Sequence, residues 1–265
     1  MEKYKIELFG VSETLLIPVY ARALESRKEN HEFFDAIAIK IVDSVEYDFD
    51  KFYENKMNLW GCAARTIIID NQVSEFIKDH PNCSIINMAC GFDSRFNRVD
   101  NGKITWYNID FPSVMNIRKD LIPEQDRVIE LSGSVLDDFW YEKIENKNDV
   151  LIVAEGVLMY FEENEVKALF DKVAEKFENC TLMCELMSKW MAENKELNDV
   201  IKKTTVSYKW GVEKTEDFIK LCPEYKMIGE YNFTDEMKRF APALIEEIAP
   251  KLRDKNNRLG CFEKI

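Results

Sequence analysis

Only two histidines, His31 and His80, occur in the 265 residues. A His-rich zinc or iron centre is hard to assemble from so few, and no Cys/His spacing matches a zinc motif, so no metal is expected. The cysteines (Cys62, Cys83, Cys90, Cys180, Cys184, Cys222, Cys261) are an odd number without a CxxC pair. That argues against a disulfide framework and for reduced, mostly buried thiols. No stretch approaches the roughly 18 consecutive apolar residues of a membrane span. The opening MEKYKIELFG has neither the apolar core nor the cleavage site of a signal peptide, so a cytoplasmic protein is expected. Positive charge is also scarce: 36 Lys and Arg stand against 49 Asp and Glu, a net charge of −13 with no long basic run. A surface that tracks phosphates is thereby excluded, and no nucleic-acid partner is expected. GxGxxG, GxxxxGK[ST] and GxSxG are all absent, which leaves nicotinamide, nucleoside-triphosphate and serine-hydrolase chemistry without their fingerprints.

What is present is an ordinary globular balance, 46% hydrophobic and 32% charged, enough for one large α/β domain. Residues 12–29 place Leu15, Leu16, Val19, Tyr20, Ala23 and Leu24 on one stripe, an amphipathic helix with Pro18 in its first turn. A second helix is expected from Asn58 to His80, closed by Pro81. No linker or repeat intervenes, so residues 1–83 are expected to form a helical N-terminal cap on a core spanning 84–265. In that core short apolar runs alternate with helical patterns. Strands are expected at 85–88, 104–109, 128–131, 150–154 and 181–186, with a helix over 166–177 closed by Asn179. Two late strands, 226–232 and 259–265, flank a helix over 234–248. The pattern is α/β, with about seven mostly parallel strands and helices on both faces. Residues 187–214 interrupt it and suit a lid inserted over a site.

The informative segment is IINMACGFDSRF, residues 85–96, where a strand runs into the small residues Ala89, Cys90 and Gly91. Such a turn lets backbone approach a ligand. Asp110 ends the next strand 19 positions beyond Gly91, where a carboxylate can accept from both hydroxyls of a ribose. Together these point to an adenosine-containing cofactor; the alternative for Asp110 is a helix cap before Pro112. Asp137 in GSVLDDFW and Glu155 in VLIVAEG follow the third and fourth strands. Side chains after successive strands share one sheet edge, where ligands of open α/β sheets bind.

NMACGFDSRF, YNIDFP, GSVLDDFW and AEGVLMYF, with the upstream SETLLIP and Arg65 in AARTIIID, resemble the leucine carboxyl methyltransferase superfamily. Within it the likeness is to bacterial O-methyltransferases of the tetracenomycin polyketide-synthesis type, over roughly residues 12–186. The resemblance implies a Rossmann-like class I methyltransferase fold and S-adenosylmethionine as cofactor. It implies Arg65 on the methionine carboxylate, Ala89 and Gly91 in the loop wall, Asp110 on the ribose and Asp137 by the adenine. Glu155 would stand near the methionine amino group or the loop beside it, and Phe111, Val135 and Leu136 complete the cofactor set. The family usually has glycine where Ala89 stands, which leaves a catalytically retired cofactor-binding protein as the alternative. The methyl acceptor is expected to be a small molecule bearing a carboxylate or hydroxyl. Tyr160 is a weak catalytic candidate against a plain packing role, and Tyr208, Trp210, Lys202 and Lys203 are candidates for the acceptor pocket. Oligomeric state is left open.

Overall fold

The computed structural model describes residues 4–5, 14–194 and 207–265. The N-terminal part contains β1 (Tyr4–Lys5), α1 (Leu16–Ser26), α2 (Ala36–Ser44), β2 (Val45–Glu46) and α3 (Lys56–Asp79). Then come β3 (Ser84–Met88), α4 (Phe96–Val99), β4 (Thr105–Asp110), α5 (Pro112–Leu121), β5 (Val128–Ser132), β6 (Val150–Ala154), α6 (Glu163–Lys176) and β7 (Cys180–Leu186). The C-terminal part adds α7 (Lys189–Glu193), α8 (Glu216–Leu221), β8 (Tyr225–Asn232), α9 (Phe233–Met237), α10 (Pro242–Leu252) and β9 (Arg258–Lys264).

Seven strands form one sheet in the order β5-β4-β3-β6-β7-β9-β8. The first five run parallel, and β9 lies antiparallel between β7 and β8. The central strands β3 and β6 are buried at every position, as parallel strands covered on both faces must be. Alternate side chains feed opposite layers. Ile86, Ile152 and Leu182 meet Val166, Phe170 and Val173 of α6, whereas Ile85, Leu151 and Met183 meet Ile69, Val73 and Ile77 of α3. The chain leaves β3 toward β4 on one side and returns to β6 on the other. The carboxyl ends of β3 and β6 therefore flank a topological switch point, where an open α/β sheet leaves a crevice.

All seven expected strands appear within one residue of their expected limits. Several helices need correction. The 12–29 stripe becomes the shorter α1, and it is not one-sided: Arg22 and Glu25 are buried along with Leu16, Val19 and Tyr20. Ion pairs with Asp35 for Arg22 and with the nearby Lys28 for Glu25 make that burial tolerable. The helix expected over 234–248 is two helices, because Ala241 (φ −151°, ψ 69°) precedes Pro242, which has no N–H and disfavours a helical predecessor. α6 closes at Phe177 rather than Asn179. The two-residue parallel pair of β1 with β2 was not expected. All seven cysteines are free and buried. Of the lid segment 187–214, α7 and the stretch from 207 are described; Lys202 and Lys203 lie outside the described residues.

Candidate cofactor and active site

The turn after β3 is bent by two left-handed residues, Ala89 and Gly91, each at φ 49°. Glycine suits the left-handed φ of Gly91, and a β-carbon there would stand 2.9 Å from Leu15 Cδ2, so that side chain would have to shift. Asp110 pins the turn: its Oδ2 accepts from Gly91 N–H at 2.7 Å and its Oδ1 from Phe111 N–H at 2.7 Å. The cap position before α5 falls on Phe111, with no side-chain cap, so the helix-cap alternative for Asp110 is not realised. Burial raises the Asp110 carboxyl above its ordinary value, although the two backbone donors favour the ionised form. Arg118 secures the same turn from α5 by donating to the carbonyls of Gly91 (3.0 Å) and Asp93 (2.7 Å).

Across the switch point Glu155 follows β6. Arg65 Nε lies 2.7 Å from its Oε1, and Arg95 Nη2 lies 2.6 Å from its Oε2. The Arg65 contact is charge on charge rather than a hydrogen bond, because the Nε–H is aimed off the oxygen and has no partner. Arg65 Nη1 also donates to Glu185 Oε2 at 2.8 Å. Glu185, which ends β7, accepts further from Gly156 N–H at 2.8 Å and from Asn257 Nδ2 at 2.7 Å. Burial opposes the charge on Arg65, and Glu155 and Glu185 outweigh it, so the guanidinium is held protonated more firmly than usual. Burial likewise works to raise the Glu155 carboxyl, but Arg65 and Arg95 bring it below the ordinary range. Asp93 is lowered in the same way: burial works to raise it, and Arg95, Arg98, Arg22 and Arg118 together outweigh that.

Of these groups Arg65, Gly91, Asp93, Glu155, Gly156 and Glu185 line a cavity of about 430 Å³ at the carboxyl edge, within the usual range for small-molecule sites. Of the expected site residues, Arg65, Ala89, Gly91, Glu155 and Tyr160 are brought to it. Asp110 touches it through Gly91. Val135 is buried, while Phe111, Leu136 and Asp137 are exposed after β4 and β5, beyond the cavity wall. Met159, Met187, Trp190 and Tyr208 close the opposite side. The Tyr160 ring stands 5.8 Å from that of Tyr208, and burial pushes its phenol up, so it is a hydrogen-bond donor at neutral pH. Trp210 is buried in the core with Phe170 and Val212 rather than in the cavity wall.

The charge set fits a zwitterionic, cationic-centred ligand: one guanidinium flanked by the carboxylates of Glu155 and Glu185, all three lining the cavity. Gly156 takes a left-handed φ of 65°, which favours glycine, while a β-carbon there would stand 3.6 Å from Arg65 Nη1, an ordinary contact. Two members of the cluster were not singled out in the sequence. Glu185 had the same cue as Asp110 and Glu155, a carboxylate at the carboxyl end of an apolar strand. Arg95 had no local cue beyond its neighbour Asp93, because its other partners lie on α3 and after β6.

The family model for leucine carboxyl methyltransferase matches residues 16–174. The chain is 26% identical over 231 residues to the tetracenomycin polyketide synthesis O-methyltransferase TcmP of Streptomyces glaucescens, covering 87% of this chain and 86% of that one. A Thermobifida fusca YX protein assigned as a methyltransferase shares the fold, with TM-score 0.61, 12% identity and 94% of each chain covered. So does the magnesium protoporphyrin IX methyltransferase of Synechocystis PCC 6803 with bound SAH, at TM-score 0.52 and 11% identity over 83% of this chain and 89% of that one. With a family match over more than half its length and the fold those enzymes share, the chain belongs to the leucine carboxyl methyltransferase family of S-adenosylmethionine-dependent methyltransferases.

Proposed function

We propose that this protein methylates an oxygen of a small-molecule acceptor, and the observation that carries the reading is the switch-point cavity with Arg65 between Glu155 and Glu185. Arg65 holds the cofactor's methionine carboxylate and Glu155 its ammonium. Ala89 and Gly91 form the loop wall, Asp110 takes the ribose hydroxyls, and Phe111, Val135, Leu136 and Asp137 flank the adenine. A carboxylate offers about four lone-pair sites, so the two backbone donors on Asp110 leave capacity for a ribose. When bound, S-adenosylmethionine supplies a methyl carbon on a sulfonium, open to in-line displacement. The chain's own contribution is to hold the partners in line and exclude water. Oxygen as the methylated atom is supported by the printed function of the Streptomyces relative. Met159, Met187, Trp190 and Tyr208 suit an acceptor with a large apolar body, and Tyr160 donates a hydrogen bond that orients it. Residues 187–214 act as the lid, to which Trp190 and Tyr208 belong, and residues 1–83 act as the cap.

The test is calorimetric titration of S-adenosylmethionine and S-adenosylhomocysteine into wild type and Asp110→Ala. Micromolar binding to wild type that is lost in the variant supports the reading; a wild type that binds neither sinks it. A second reading, a cofactor-binding protein without turnover, is favoured by Ala89, whose methyl sits in the cavity wall. Tight binding with no product across a panel of phenols and carboxylates would establish it.

A further inference from the structure

Arg65 and Glu155, assigned above to the two poles of the cofactor's methionine end, are each held by a buried partner of opposite charge. Arg95, 1% exposed in its side chain, spends its guanidinium on three carboxylates: Asp70 of α3 at 2.7 Å, Asp93 of the loop at 2.8 Å and Glu155 at 2.6 Å. A planar fork fixed from three elements leaves the Glu155 carboxylate one orientation. Glu185, 2% exposed in its side chain, ties Arg65 of α3 to Gly156 after β6 and to Asn257 before β9. It uses Arg65 Nη1 and Glu155 uses Nε, so among the described residues Nη2 is the nitrogen left to receive a ligand.

We propose that Arg95 and Glu185 are positioning residues for cofactor binding, each acting on one pole: Arg95 through Glu155 on the ammonium, Glu185 through Arg65 on the carboxylate. The proposal rests on the cofactor reading given above. Neither residue is catalytic, since each works through its neighbour. The two act on different atoms, so their effects are separable. The direct contact between Arg65 and Glu155 makes the separation graded rather than complete.

The separation is read with three ligands titrated into the full chain. They are S-adenosylhomocysteine, 5′-deoxy-5′-(3-aminopropylthio)adenosine, which lacks the carboxylate, and 5′-deoxy-5′-(3-carboxypropylthio)adenosine, which lacks the ammonium. Arg95→Lys is expected to weaken S-adenosylhomocysteine and the aminopropyl analogue about tenfold, the scale of one charge-assisted hydrogen bond, while the carboxypropyl analogue changes by less than about threefold. Glu185→Gln is expected to give the reverse pattern. A merely structural role weakens all three ligands alike, and that result in both variants overturns the proposal while leaving the cofactor reading intact. A wild type that fails to bind S-adenosylhomocysteine overturns both. Where Arg95→Lys does not fold, Asp70→Asn loosens the same guanidinium from outside the cavity, and a loss confined to the ammonium-bearing ligands is again the expected result. Equal loss with Asp70→Asn counts against the proposal.

Discussion

Ala89 carries the backbone strain of the site. At φ 49° its β-carbon crowds the carbonyl, a conformation costing roughly 1–2 kcal/mol in a residue other than glycine. Glycine would remove that strain but lose about 0.5–1 kcal/mol of chain entropy. Ala89→Gly is therefore expected to stabilise the protein by up to about 1 kcal/mol, a rise of about 2–4 °C in Tm for a domain of this size. S-adenosylhomocysteine should bind at least as tightly to the variant. A lower Tm in a thermal melt would mean that the strain does not reside at Ala89. The turn keeps its left-handed geometry with alanine present, so the departure from the family's glycine leaves the loop path intact. Asp110 shows a second lesson at this scale. Its place at the end of a strand was legible, whereas its tether to Gly91 N–H was not, because nothing local in WYNIDFP says which loop will lie above it.

Among the elements, α3 does the most to assemble the site. Its apolar period continues for 24 residues because its first half packs with α1 and its second half covers the sheet. The helix thereby delivers Arg65 to the cavity and Asp70 to Arg95 from one rigid rod. Asn55 caps it, its side-chain oxygen accepting from Asn58 N–H at 3.1 Å. Asn55→Ala should cost about 1 kcal/mol, read as a lower denaturant midpoint with an unchanged slope. No change in midpoint would show that packing alone sets the start of the helix. The strands were legible because continuous apolar runs bounded by turns mark buried parallel strands. The break at Pro242 was missed, because the apolar pattern on either side of it reads as one helix.

At the scale of the molecule, a buried ionic network joins the N-terminal helices to the sheet edge. Arg22 pairs with Asp35 at 2.8 Å, Asp35 with Arg98 at 2.9 Å, and Arg98 with Asp70, which passes to Arg95 and on to Glu155. Burial alone would raise the Asp35, Asp93 and Glu155 carboxyls, but the neighbouring arginines hold all three below their ordinary values. A carboxyl lowered on folding stabilises the protein above its unfolded pKa, about 4 for Asp and Glu, and loses that contribution as pH falls through its folded value. Stability is therefore expected to hold from neutral pH down to about 5 and to collapse below about 4. Asp110 acts with the opposite sign: raised on folding, it contributes most below pH 4 and loses that contribution as pH climbs through its folded value. Denaturant midpoints measured against pH check the balance, and a decline already under way near pH 6 would contradict it. The sequence by itself determined the strands, the switch-point edge and the carboxylates that end its strands, because backbone period and strand termini are local properties. Only the tertiary structure decided that Arg22 and Arg95 are buried, that Glu185 meets Arg65, and that Asp137 stays exposed. Those outcomes depend on which distant charges the packing brings together, and a buried charge is tolerated only where its partner arrives with it.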